Sequence, residues 1–242
     1  MRKFFAKTVK TLAALALSAV IAVSGFGSVV ADAATRKNAE PINYSLIVRD
    51  DSTTVTGTES TIKVNTYYQR IKLSGSDAAT KKINKTLLKA SKAYDPETIL
   101  SIAEEAADGT DMFEGSEFYD FFNSFITDRT EDYISIVVTR EWWAGGVSNN
   151  FEYGYVFDLN TGKKIYITKA SGKSLKYIKQ RLIGNILADG EFEGFEAEVE
   201  EAVNSLTTSK INYYINSDGL CVVVFNAYEL GFGGWVREYI IE

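Results

Sequence analysis

The sequence predicts an α+β fold, an antiparallel sheet meander with helices packed on one face. Runs rich in β-branched and aromatic residues, separated by turn chemistry, come in blocks. Amphipathic helical patterns fall between those blocks rather than alternating with single strands. Neighbouring strand-like runs are joined by short turns, which favours antiparallel pairing.

Ile42 to Val48 and Thr61 to Leu73 read as two strands of a hairpin, with Asp50-Asp51-Ser52 supplying turn chemistry between them. Ser76 offers a helix N-cap, and Ala79, Ile83, Leu87 and Ala90 recur at the three- and four-residue steps of an amphipathic helix. Asp95-Pro96 opens a second helix, which carries Ile99, Ile102, Ala103 and Ala106 and stops at Gly109. Phe118 to Thr127, Tyr133 to Trp143, Phe151 to Asp158 and Ile165 to Thr168 read as strands, with Asn160-Thr161-Gly162 closing the last hairpin. Two helical patterns follow, one through Leu175, Ile178, Leu182 and Ile186, the other through Phe195, Val199, Val203 and Leu206. Asn212 to Ile215, Leu220 to Phe225 and Val236 to Ile241 return to strand.

Residues 1–33 have the layout of a secretory signal. Arg2, Lys3, Lys7 and Lys10 precede an apolar stretch from Leu12 to Val30, and Ala31-Asp32-Ala33 supplies small residues for cleavage. The stretch is also long enough to serve as an uncleaved anchor. Both readings place the remainder outside the cytoplasm, secreted or associated with the cell envelope, with contact to a membrane expected only if the segment is retained. Thr35 to Glu40 read as a polar leader. The rest reads as one compact unit with two lobes meeting near Asp128, residues 34–128 and 129–242.

A formal charge of −6 argues against nucleic acid and anionic lipid as partners. The single cysteine, Cys221, lies in an apolar strand run and reads as a core thiol. The chain has no histidine, which removes the Ser-His-Asp and Cys-His arrangements and the commonest general base near neutral pH. No phosphate-cradling glycine motif is present. Asp108, Asp111, Glu114 and Glu117 offer oxygen ligands without the alternate spacing of a calcium loop, so neither metal nor cofactor is expected. Glu141 and Glu229 are the two acids to consider for a carboxylate-dependent glycan hydrolase. The main expectation is that the protein is not an enzyme and has no catalytic residues.

Two aromatic, glycine-rich stretches carry the binding expectation. In the first, Trp142 and Trp143 precede Gly145, Gly146, Ser148 and Asn149. Residues 142 and 143 of a strand face opposite sides, so one indole packs in the core and the other meets solvent beside a flexible glycine loop, which suits recognition or nothing more than a wide hairpin loop. In the second, Tyr228 and Glu229 precede Phe232 and Trp235. If both loops lie at one end of the sheet they form one surface.

Three runs resemble a known family: Trp143-Ala144-Gly145-Gly146 with Asn149; Phe157-Asp158-Leu159-Asn160-Thr161-Gly162-Lys163; and Tyr213 to Leu220 followed by Phe225-Asn226-Ala227-Tyr228-Glu229-Leu230. The family is the domain of unknown function found at the C-terminus of lysozyme-sensing anti-sigma factors of the RsiV type and near the N-terminus of PdaC-like peptidoglycan deacetylases. Tyr67 to Leu73 and Ile83-Asn84 are similar to the companion domain that precedes it. The resemblance implies a secreted α+β module without an active site of its own, a receptor for a basic, lysozyme-like protein or an accessory that meets cell-wall glycan. The sequence departs from the family at Val147-Ser148, where a histidine is frequent. Ten residues ahead of the apolar stretch are too few to hold a sigma factor, and no deacetylase domain follows Glu242, so the expectation is a binding or sensing part alone. A purely structural envelope protein is the blander alternative.

Overall fold

The computed structural model describes residues 42–230 and 234–242. The signal segment 1–33, the leader Thr35–Glu40 and Phe232 lie outside the described residues. The chain forms β1 (Tyr44–Thr56), β2 (Thr61–Leu73), α1 (Ala78–Ala90), α2 (Pro96–Gly109), β3 (Glu117–Arg129), β4 (Tyr133–Ala144), β5 (Val147–Asp158), α3 (Ile167–Ser171), α4 (Leu175–Ala188), α5 (Glu196–Ser205), β6 (Tyr213–Ile215), β7 (Cys221–Phe225) and β8 (Arg237–Ile241). The first five strands make one sheet in chain order, and the last three make a second. The class is α+β, as the blocks of strands imply. The division near Asp128 falls between β3 and β4, within the first sheet.

The first sheet is not a pure antiparallel meander, because β2 and β3 pair in parallel. Both α1 and α2 lie between these two strands, and a chain that leaves and returns through helices can re-enter the sheet in the same direction. Asp50-Asp51-Ser52 do not form a turn: β1 runs through them to Thr56 and the reversal comes at Gly57–Ser60, where Gly57 N–H donates to Ser60 O at 3.0 Å. The acids are tolerated because β1 is an outer strand with its edge in solvent. The α1 cap is Asp77 rather than Ser76, its carboxylate accepting the Thr80 N–H at 2.9 Å. Ile165 to Thr168 do not continue as a strand. After the Phe157–Lys164 bridge and the bond from Ile165 N–H to Val156 O, Ile167 turns into the core and begins α3.

Helices lie on both faces of the first sheet, not on one. On one face α1 covers Ile71, Leu73, Phe122, Ile134 and Phe157, while α2 covers Ile62, Val64, Phe118 and Ala144. Between these two apolar clusters Arg140 donates two hydrogen bonds to the fully buried Asp120 carboxylate, at 2.9 and 3.0 Å. On the other face, a third core gathers α3, α4, α5 and the second sheet around Ile178, Leu182, Val203, Tyr213 and Val223, and meets the first sheet at Val156. The two sheets make contact where β6 crosses β5. Gly154 has no Cβ there because one would stand 2.0 Å from the Tyr213 carbonyl oxygen.

Two side-chain amides stand in for a neighbouring strand along the outer edge of β5. Asn212 accepts the Gly154 N–H at 2.8 Å and donates to Glu152 O at 2.7 Å. Asn226 accepts the Glu152 N–H at 2.7 Å and donates to the same carbonyl at 3.2 Å. Cys221 is buried in β7 facing the third core, where burial pushes its thiol up to about 11.

Candidate functional site

Cross-strand partners share a face, so the register of the first sheet defines the surface opposite α1 and α2. One row across the strands reads Ser52, Asn65, Tyr119, Trp143 and Ser148; the next reads Asp50, Tyr67, Phe121, Glu141 and Asn150. The second sheet and the turn after β7 cover this face from Glu152 and the crossing at Gly154 onward, and the aromatic side chains of these two rows stay partly exposed.

The rings form a ladder. Tyr119 stacks on Phe121 at 4.8 Å between centroids and 21°, and lies near-parallel to Trp143 at 6.5 Å and 23°. Tyr67 meets Phe121 edge to face at 6.4 Å, and Trp143 meets the edge of the buried Phe118 at 5.5 Å. Because Tyr119 has a ring on each side, the ladder turns edges outward rather than broad faces. The Tyr119 hydroxyl donates to Glu141 Oε1 at 2.8 Å. Burial, then the hydrogen bond to Glu141 and its charge, hold the Tyr119 phenol above its ordinary pKa; burial and Asp50 do the same for Tyr67. Glu117 is neutralised by Lys63 at 2.8 Å, but Asp50 and Glu141 form no ion pair among the described residues. The site is therefore an aromatic strip framed by carboxylates, suited to apolar contact and to accepting cationic groups.

One border of the strip is Glu152, opposite Thr139 on β4. Burial, then a hydrogen bond to Glu238 and its charge, push the Glu152 carboxyl up to about 8. Tyr214 is raised by burial first and by the same Glu238.

The sequence-predicted residues distribute differently. Trp142 and Trp143 are both partly buried, and both pack against the cluster under α2. Only Trp143 belongs to the ladder face; Trp142 shares the opposite face with Asp120. The expected flexible glycine loop is a tight two-residue hairpin, with Ala144 paired to Val147 and Trp142 to Asn149. Gly145 and Gly146 have φ of 62° and 102°, the conformation such hairpins require. A Cβ on Gly145 would stand 2.5 Å from the Phe113 ring, so the tip is docked. Ser148 is exposed on the ladder face beside Trp143.

The second predicted stretch is a turn beyond β7. Glu229 N–H donates to Asn226 O, and the Glu229 carboxylate accepts the Asn226 N–H at 2.7 Å. Leu230 anchors the turn in the core at 1% exposure, which leaves Tyr228 at 68% and Trp235 at 63% in solvent. Asn226 grips β5 at Glu152, roughly 17 Å along the strand from the hairpin tip at about 3.4 Å per residue. The contact that fixes the second stretch on the first sheet therefore lies five residues from the tip of the first. Glu141 and Glu229 sit on separate elements and each carboxylate already holds a protein donor. Asp108 and Glu114 accept backbone N–H groups of Thr58 and Thr61, so these acids tie the β1–β2 turn to the loop after α2. Sequence reading missed Tyr67, Tyr119 and Phe121. The signal was present in Phe118-Tyr119-Asp120-Phe121-Phe122, which puts aromatic residues on both faces of one strand.

The fold has solved counterparts. A member of the DUF3298 family from Bacteroides fragilis superposes with a TM-score of 0.54 at 11% sequence identity, over 85% of this chain and 92% of that one. A DUF3298 family protein from Pseudomonas aeruginosa gives a TM-score of 0.49 at 10% identity, over 84% and 91%. At 11% identity the likeness to the Bacteroides fragilis protein is one of fold alone. No family model and no curated protein sequence matches the chain.

Proposed function

We propose that the chain is a non-catalytic, extracytoplasmic binding module that docks a basic protein partner on the ladder face of its first sheet. The observation that carries this is the edge-on stack of Tyr119 between Phe121 and Trp143, bounded by Asp50 and Glu141, which form no ion pair among the described residues. Saccharide recognition uses an open ring face, which Tyr119 does not have. Ring edges set among carboxylates suit a protein surface carrying Lys or Arg. The resemblance of the Trp143–Asn149 and Phe225–Leu230 runs to lysozyme-sensing anti-sigma factors supports a lysozyme-like partner, and the secretory layout of residues 1–33 supports a location where one would be met.

Calorimetric titration with hen lysozyme and, separately, with soluble peptidoglycan fragments tests the reading. The expected outcome is saturable lysozyme binding that weakens with salt, and an affinity loss of about 30-fold or more in Phe121→Ser, the cost of removing a central aromatic contact. Binding of glycan fragments alone, or lysozyme binding indifferent to Phe121→Ser, overturns it.

A further inference from the structure

The face of the first sheet turned away from the ladder holds an arginine that the protein does not neutralise. Arg70 follows Tyr68 by two residues on β2, so its side chain lies on the α1 side, and the residue is only 8% exposed. Its Nε donates to the Tyr68 hydroxyl at 2.9 Å. Neither η nitrogen reaches a carboxylate or any other acceptor among the described residues. A guanidinium withdrawn from water is costly unless something accepts its N–H groups. Among the described residues, the enclosed polar side-chain atoms that lack a partner are Ser60 Oγ and the Tyr239 hydroxyl oxygen. The Arg70 η nitrogens are not among them, so they open onto the surface.

A second arginine comes to the same tyrosine. Arg49 of β1 is the cross-strand partner of Tyr68, and its guanidinium carbon lies over the ring at 5.5 Å from the centroid. Arg49 is exposed and forms no ion pair among the described residues. The ring between the two arginines is fixed, stacked on the buried Phe122 at 5.2 Å and 17° and packed against Tyr94 at 5.2 Å. Tyr68 thus holds one guanidinium at its hydroxyl and another over its face. Two acids stand near. Asp120 is engaged by Arg140. Asp51, two residues beyond Arg49 on β1, forms no ion pair among the described residues. Tyr94 reports these neighbours: burial raises its phenol most and the Thr66 hydroxyl lowers it, while Asp120 and Asp51 raise it and Arg49 lowers it. Residues 78–94, which form α1 and run on to Tyr94, bring no acid. One unengaged carboxylate against two guanidiniums leaves the spot cationic. The paired η nitrogens of a held, planar guanidinium, with a second guanidinium on a mobile stem beside it, match an anion that offers two or more oxygens.

We propose that Arg70 and Arg49 form a binding site for an oxyanion, carboxylate or phosphate, on the α1 side of the first sheet and separate from the ladder. The test is heteronuclear NMR of the arginine Nε–Hε resonances during titration with inorganic phosphate and, separately, with citrate, each compared with chloride at equal ionic strength. It uses residues 34–242, which contain every described element. The Arg70 resonance, identified by its loss in Arg70→Met, shifts saturably with the oxyanion and not with chloride. Arg70→Met keeps a packed apolar stem and abolishes binding. Should that variant not fold, Tyr68→Phe identifies the resonance through loss of its hydrogen bond. Arg49→Gln changes an exposed side chain and weakens binding about tenfold, the worth of one hydrogen bond to a charged group. A response to phosphate alone assigns the site to tetrahedral oxyanions and a response to citrate alone assigns it to carboxylates; both support the proposal. An Arg70 resonance that neither anion moves, an equal shift with chloride, or undiminished affinity in Arg49→Gln overturns it.

Discussion

At the scale of single residues, two carboxyl groups are placed in opposite ways. Asp120 is fully buried and held by two bonds from Arg140, whose side chain is itself only 18% exposed. Removing one member of such a pair strands the other. Asp120→Ala is expected to lower the unfolding free energy by about 3 kcal/mol in urea denaturation, and Asp120→Ala with Arg140→Met to recover about half of that. Glu152 faces a like charge instead of a counter-ion. Its carboxyl titrates near 8 in the folded protein and near the ordinary glutamate value when unfolded. The unfolded chain therefore loses the proton first, and the stabilisation present below the unfolded pKa is lost as pH rises toward the folded one. Urea midpoints are expected to fall between about pH 5 and about pH 8. Glu152→Gln, which keeps the hydrogen-bonding shape without the charge, should flatten the slope; an unchanged slope would show that another group causes it.

At the scale of elements, the β4–β5 hairpin is the clearest case of a stretch whose role differs from its composition. Trp-Trp-Ala-Gly-Gly reads as an open recognition loop, yet its glycines serve a two-residue reversal pressed against Phe113. Gly145→Ala is expected to cost about 2 kcal/mol, from positive φ and from contact with the ring. Phe113→Ala removes only the second cause, so a double-mutant cycle followed by thermal melting should show coupling between the two sites; strict additivity would mean the tip does not press on Phe113. Most helices and strands were legible because periodicity is local: the Ala79–Ile83–Leu87 stripe and the Pro96 start of α2 are where the pattern puts them. The parallel β2–β3 pairing was not legible, since it depends on where the chain returns after two helices. The ladder was missed for the same reason. Tyr119 and Phe121 are surface residues only because the cover on their face stops where β6 lands on Gly154, a contact between positions some sixty residues apart.

At the scale of the whole molecule, charge is sorted along the strands. The acidic α2 and the loop after it lie with Ile62, Val64, Phe118 and Ala144 at the end of the first sheet near the Gly145 tip; the lysine-rich α1 lies with Leu73, Ile134 and Phe157 at the other. The ladder stands toward the acidic end. Tyr67 in the ladder and Leu73 under α1 are six residues apart on β2, roughly 20 Å at about 3.4 Å per residue, more than twice the screening length of ~8 Å in physiological salt. Two surfaces that far apart do not feel each other's ions. The sheet then acts as a rigid spacer: a cationic visitor drawn to the tyrosine–phenylalanine strip meets the carboxylates of the acidic end, with the lysines of α1 beyond electrostatic reach.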